Sequence, residues 1–287
     1  MADIPRNRKP EVYFHVGLGK VASKYLQHGV FPHFRDIHYI PTRLFYKSVK
    51  EIQKGLHPSY LVSREFDTQF EEEVRKFARH FPDARPILLL RRHDDWIASQ
   101  YRRFAKNGFF GSFKEFIDPE KDEGRFGMES LSFYRKIEIL KECFSNEPLV
   151  LIYDELLESP WGFIDKIARY CQAGYDKEDI RLERRHTSYG EKQIRWMQLV
   201  NRRLNIHEPR YIRLPVLKFF QRIPYLLYRY MILYSGLLVP SSWLGHEPLI
   251  PPGELERIRE LTREDWERCV SYVEKLEVRR QETGDIW

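Results

Sequence analysis

The chain has 287 residues, enough for one large α/β domain that needs no stapling. Its three cysteines, Cys143, Cys171 and Cys269, are odd in number and too widely spaced for a metal knuckle, so neither a disulfide framework nor a zinc site is suggested and a reducing compartment fits best. Forty-eight Lys and Arg against 42 Asp and Glu leave a net charge of +6 that suits anionic partners; without a basic block of interleaved aromatics, helix-turn-helix spacing or repeats, nucleic acid is not expected among them.

Met1 to Pro10 is polar and basic with no apolar stretch behind it, so it does not read as a secretory signal, and a cytoplasmic location is expected. Val12 to Val16 is a short β-branched and aromatic run that ends in Gly17-Leu18-Gly19, which is strand, then loop. From Ser23 to Phe34 the spacing of Tyr25, Leu26, Val30 and Phe31 is compatible with a helix, with Ser23 near its N-cap. Tyr60 to Ser63 reads as the second strand, and Phe70 to Phe81 as a helix that Pro82 closes.

Pro86 to Leu90 is a continuous apolar run, the mark of a parallel strand buried on both faces, and Trp96 to Ala105 follows as a helix. Helical spacing returns over Leu131 to Phe144; Leu149 to Tyr153 is a fourth strand, leading to a helix around Phe163 to Cys171. Four strands alternating with helices predict an α/β fold around a central, mostly parallel sheet. We read 1–287 as a single domain, with an α/β nucleotide-binding core over 11–175 and a helical C-terminal region over 176–287. Within that region 214–240 is unusually aromatic and apolar, but Arg222, Pro224 and Arg229 interrupt it, so it is too broken to span a bilayer. It reads either as a buried core helix or as an interfacial segment making peripheral membrane contact, which would make the protein membrane-associated.

Gly17-Leu18-Gly19-Lys20-Val21-Ala22-Ser23-Lys24 lies between the first strand and its helix, where backbone N–H groups converge on an anion. It is not a Walker A sequence, because Val21 and Ala22 separate Lys20 from the Ser23 hydroxyl that would hold magnesium. Leu149 to Glu155, four apolar residues before an acidic pair, also describes a Walker B strand, so a P-loop kinase or NTPase acting on a small molecule is the alternative reading.

The loop resembles the first motif of the PAPS-dependent sulfotransferases (PAPS, 3′-phosphoadenosine 5′-phosphosulfate), roughly Pro-Lys-x-Gly-Thr/Ser-Thr followed by an aromatic residue and Leu. Lys20 falls on the lysine, Ser23 on the first hydroxyl and Tyr25-Leu26 on the aromatic pair; Gly19 replaces the proline, Ala22 the glycine and Lys24 the second hydroxyl. Leu88 to Tyr101 is similar to the second motif, with Arg91 on its arginine, Ser99 on its serine and Tyr101 on its tyrosine. The run Arg92-His93-Asp94-Asp95 resembles the form found in bacterial members near surface-polysaccharide genes, and Gly284-Asp285-Ile286-Trp287 resembles their ending. Tyr153, Asp154, Glu155, Leu156 and Pro160 suit the corresponding sulfotransferase strand as well as they suit a Walker B strand.

The resemblance implies a P-loop-NTPase-like three-layer α/β fold and sulfuryl transfer from PAPS to a hydroxyl, with PAP (3′-phosphoadenosine 5′-phosphate) as product, no metal, and a carbohydrate or glycan as the first choice of acceptor. A small-molecule or lipid-linked alcohol is the alternative acceptor. It implies donor binding by Gly19, Lys20, Val21, Ala22, Ser23, Lys24, Tyr25, Arg91 and Ser99, with Lys20 on the bridging oxygen and Glu65 as general base. His15 and Asp67 are lesser candidates for the base, and Arg184-Arg185-His186-Thr187-Ser188 could help to close over the nucleotide.

Overall fold

Strand β1 (Glu11–His15) buries Val12, Tyr13, Phe14 and His15 together, so both of its faces meet other elements. The computed structural model describes residues 9–182, 189–204, 215–244 and 247–283. After β1 come α1 (Ser23–Tyr25), β2 (His38–Ile40), α2 (Ser48–Gln53), β3 (Ser59–Ser63), α3 (Phe70–Ala78) and β4 (Arg85–Leu90). Next are α4 (His93–Lys106), α5 (Phe113–Phe116), β5 (Ile117–Asp118), β6 (Glu123–Gly124), α6 (Met128–Leu131), α7 (Phe133–Cys143), β7 (Leu149–Ile152), α8 (Tyr153–Glu158) and α9 (Pro160–Tyr170). Helices α10 (Glu191–Leu204), α11 (Pro215–Ser235), α12 (Glu254–Leu261) and α13 (Arg263–Thr283) follow. The chain divides into two units, one from Met1–His93, Ser130–Arg185 and Thr262–Trp287, the other from Asp94–Glu129 and His186–Leu261.

In the first unit five strands form a parallel sheet in the order β2-β3-β1-β4-β7, so the fold is α/β as the alternation predicts. The fifth strand, β2, has only three residues with one fully buried, too short for a periodic signal. Side chains alternate across β1, and the two faces are covered by different helices. Phe14 stacks on Phe77 of α3 at 3.9 Å between centroids and meets Phe45, Phe66 and Phe144. On the other face Tyr13 meets Tyr170 of α9 and His15 meets Phe31. This is helix, sheet, helix in three layers.

The segment after β1 departs from the single helix predicted over 23–34. It is a turn of α-helix, a π-helix over Leu26–Val30 and a 3-10 turn over Phe31–His33. Pro32 has no N–H to donate to the preceding turn, so a regular helix cannot continue through it; Phe31 N–H bonds to Leu26 O, five residues back.

The second unit has its own core. Trp96, Tyr101, Phe104, Phe113, Phe116 and Phe126 form an aromatic cluster, and α5 starts with a capping box between Ser112 and Glu115. Helix α11 packs on α10 through Met197, Ile232 and Leu233, and the Trp196 indole donates to Ser235 Oγ at 3.0 Å. Gly236 allows this approach, since a Cβ there would lie 3.1 Å from the Trp196 ring. Only one side of α11 is therefore core, which partly meets the buried-helix reading of 214–240. Among the described residues no helix is long and apolar enough to cross a membrane.

Candidate active site

The carboxyl ends of β3, β1 and β4 lie side by side. His15 pairs with Ser63 on one side and with Ile87 on the other, and Val16 N–H continues the β4 pairing to Ile87 O at 2.9 Å. The residues leaving these strands are Arg64 and Glu65, the loop 17–22, and Arg91. Between β1 and β4 the strand order reverses direction, the place where open α/β sheets bind ligands.

The loop is held in a demanding backbone path. Lys20 (φ 71°) and Ala22 (φ 67°) are both left-handed, a conformation that costs a side-chain-bearing residue about 1 kcal/mol or more, and Val21 between them is not. Alternation of this kind builds the backbone nests that bind anions. It also gives a physical reason for the glycine that the sulfotransferase motif places where this chain has Ala22. Two bonds secure the path: Gly19 N–H donates to Asp67 Oδ1 at 2.9 Å, and buried Ser23 donates its hydroxyl to Leu18 O at 2.9 Å. Asp67 is thus a loop anchor, and Gly19 N–H is engaged with protein rather than turned to a ligand. Lys20 is half-buried, Val21 buried, and Lys24 exposed on the first turn of α1. The Tyr25 hydroxyl is buried without a hydrogen-bond partner among the described residues, and burial raises its pKa.

Beneath the loop, His15 Nδ1 lies 2.7 Å from Ser63 Oγ, which also accepts from Gln27 Nε2 at 3.0 Å. His15 Nε2 is buried without a hydrogen-bond partner among the described residues and faces Gly17, where a Cβ would lie 2.6 Å from it and 2.8 Å from Ser23 Oγ. Position 17 must be glycine for the imidazole and the hydroxyl to approach. Full burial lowers the His15 pKa from 6.5 to about 3, so the ring stays neutral in the folded protein and cannot serve as a base that reaches solvent. Below pH 6.5 the unfolded chain takes up a proton that the native state refuses until about pH 3, so stability falls as pH drops through that window. Urea unfolding across the acid range should show His15→Gln losing about 1.4 kcal/mol less per pH unit than the parent chain. Parallel slopes for the two proteins would contradict a neutral buried His15.

Arg91 follows β4 directly. Its guanidinium carbon lies 4.8 Å above the Tyr153 ring, and its Nε is buried without a hydrogen-bond partner among the described residues, so the side chain stacks with polar capacity left over. The next residues serve structure. His93 stacks on Phe133 at 4.0 Å, and its Nε2 lies 2.9 Å from Asp265 Oδ2. That carboxylate also accepts the N–H groups of Phe133 and Tyr134 at the start of α7. Asp94 belongs to the second unit, where Arg259 donates two hydrogen bonds to its Oδ2. Ser99 and Tyr101 lie in the second unit on α4; Ser99 is half-buried, and the Tyr101 hydroxyl donates to Gly111 O and accepts from Gln198.

Glu65 is half-buried two residues past the end of β3. In the stretch that suited a Walker B strand, Asp154 is exposed, while Glu155 accepts Ile152 N–H and pairs with Lys166 at 2.6 Å. Among the described residues no three His, Cys, Asp or Glu side chains converge on a position that could hold a metal ion. Residues 184–188 and 284–287 lie outside the described residues.

The sequence matches no protein-family model and no curated protein. Solved structures similar to it include two sulfotransferases. A sulfotransferase from Alicyclobacillus acidocaldarius aligns with 82% of this chain and 99% of its own, with a TM-score of 0.48 and 13% identity. A mouse sulfotransferase complexed with PAP aligns over 60% of this chain and 62% of its own, with a TM-score of 0.41 and 13% identity.

Sequence reasoning passed over the groove of about 570 Å³ that runs along the β2 side of the first unit. Gln27, His28, His38, Tyr39, Thr42 and Arg43 give it polar walls, and Pro32 and Phe34 are among its apolar ones. Thr42 Oγ1 donates to Ser63 O at 3.1 Å, tying the groove wall to the last residue of β3. No spacing links these residues in the sequence; they meet because β2 docks on β3.

Proposed function

We propose that the chain is a sulfotransferase that moves the sulfuryl group of PAPS to a hydroxyl of a carbohydrate acceptor and releases PAP. The observation that carries this reading is the common edge of β3, β1 and β4, which brings a candidate base, a left-handed lysine loop and a stacked arginine out of three adjacent strands.

PAPS supplies a sulfuryl group joined to a phosphate leaving group. We assign Lys20 to the oxygen between sulfur and phosphorus, where negative charge grows as that bond breaks. Glu65 takes the proton of the acceptor hydroxyl as its oxygen bonds to sulfur, so the proton ends on the carboxylate and the electron pair on the departing phosphate. The loop N–H groups past Gly19, that of Ser23 included, hold the 5′-phosphate, while the Ser23 hydroxyl stays on Leu18 O and Gly19 N–H on Asp67. Arg91, with Nε unsatisfied among the described residues and its guanidinium stacked on Tyr153, holds the 3′-phosphate that distinguishes this donor from ordinary nucleotides. The carbohydrate acceptor is supported by the groove, whose hydroxyl, imidazole and guanidinium groups between apolar walls suit a ring with polar rims, and by the likeness of 92–95 to surface-polysaccharide enzymes.

Thermal unfolding with added PAP tests the reading. At a hundredfold excess over its dissociation constant PAP should stabilise the protein by about 2.7 kcal/mol with no magnesium present. Arg91→Ala should weaken PAP binding by roughly ten- to a hundredfold, the worth of a charge-assisted hydrogen bond or two. Stabilisation by ATP with magnesium and none by PAP would move the assignment to a kinase.

A further inference from the structure

We propose that α11 and the turn after it form an amphipathic surface that lies in the interface of an anionic bilayer. This inference stands on the second unit alone and does not depend on the sulfotransferase reading.

The side chains of Phe220, Ile223, Leu227, Tyr230, Met231 and Tyr234 recur at three- and four-residue steps and are all exposed, Leu227 at 66% and Met231 at 60%. With Pro224 they are all the exposed positions of the helix whose side chains are described, and none carries a charge. Ile232 and Leu233 occupy the opposite side and close the core with Met197, so the outer stripe is not spare core surface awaiting a neighbour within α10. The stripe continues past the helix through Leu237, Leu238 at 88% and Trp243 at 67%. A soluble surface of this length would ordinarily carry charged side chains; an exposed stripe of apolar and aromatic residues marks a contact surface.

Charge selects the occupant. No Asp or Glu occurs between Glu208 and Glu247, whereas Arg210, Arg213, Lys218 and Arg222 fall in that stretch; Arg229, also in it, gives its guanidinium to Asn107 Oδ1. An acid-free, cation-bearing segment fits a surface of anionic headgroups, and tyrosine and tryptophan are the residues that settle at that depth. Since no described helix is long and apolar enough to cross a membrane, α11 lies in the interface plane.

Co-sedimentation of the full chain with vesicles tests this, using phosphatidylcholine alone and phosphatidylcholine with phosphatidylglycerol at about three to one. The protein should bind the anionic vesicles, with affinity falling as salt rises. Leu227→Ser with Met231→Ser should weaken that binding at least about tenfold while leaving the melting temperature unchanged, because both side chains are already in water. Tyr234→Ser with Leu238→Ser should act alike and guards against misfolding of the first pair. Absence of binding to the anionic vesicles overturns the proposal, as does binding that neither pair alters. A dimer in solution that the substitutions convert to monomer would overturn it too, by giving the stripe to a second copy.

Discussion

Lys20→Ala is expected to cut kcat by roughly a hundred- to a thousandfold while changing the affinity for PAP by less than about tenfold. The reason lies in where the residue sits. Lys20 occupies a left-handed position in the loop after β1, so its backbone helps to shape the anion nest, and the residue is half-buried. A cation fixed beside the bridging oxygen gains interaction energy only as that oxygen takes up charge, so its loss falls on turnover more than on binding. Steady-state kinetics with labelled PAPS, paired with PAP titration, separate the two. Equal losses in kcat and in PAP affinity would make Lys20 a simple phosphate contact.

Glu65→Gln is the second large effect. Transfer should fall by roughly a hundred- to ten-thousandfold, the range of general-base contributions, with thermal stabilisation by PAP unchanged. Glutamine keeps the shape and a hydrogen-bonding oxygen but cannot accept the proton, so the variant separates chemistry from folding. If Glu65→Gln retains transfer, the base is another group, and neutral, buried His15 is a poor replacement because burial holds its pKa near 3.

Several parts of this arrangement were legible in the sequence for definite physical reasons. PILLL reads as a doubly buried parallel strand because a strand between two neighbours has no wet face, and Leu149 to Ile152 reads likewise. The glycine loop was visible because left-handed and close-packed positions draw on few residue types, although here Lys20 and Ala22 take the left-handed places and Gly17 takes the close approach. The network under the loop was not legible. His15, Gln27 and Ser63 meet only once β1 and β3 pair in register, and Asp67 reaches Gly19 only because β3 ends beside it. His93 looked like part of an anion motif, yet its partner Asp265 lies 172 residues away, beyond any local pattern.

Helix α13 carries a further implication for how the first unit is made. Asp265 secures His93 and the start of α7, Tyr272 donates to Pro148 O, and Lys166 bridges Glu155 and Glu277. During synthesis on the ribosome β1 emerges early, but its sheet neighbours arrive in turn, and the clasp across their supporting helices comes only with α13. Until then the bonds that tie His93, α7 and α9 to α13 are missing, and a prematurely terminated chain lacking α13 loses the carboxylate that holds His93.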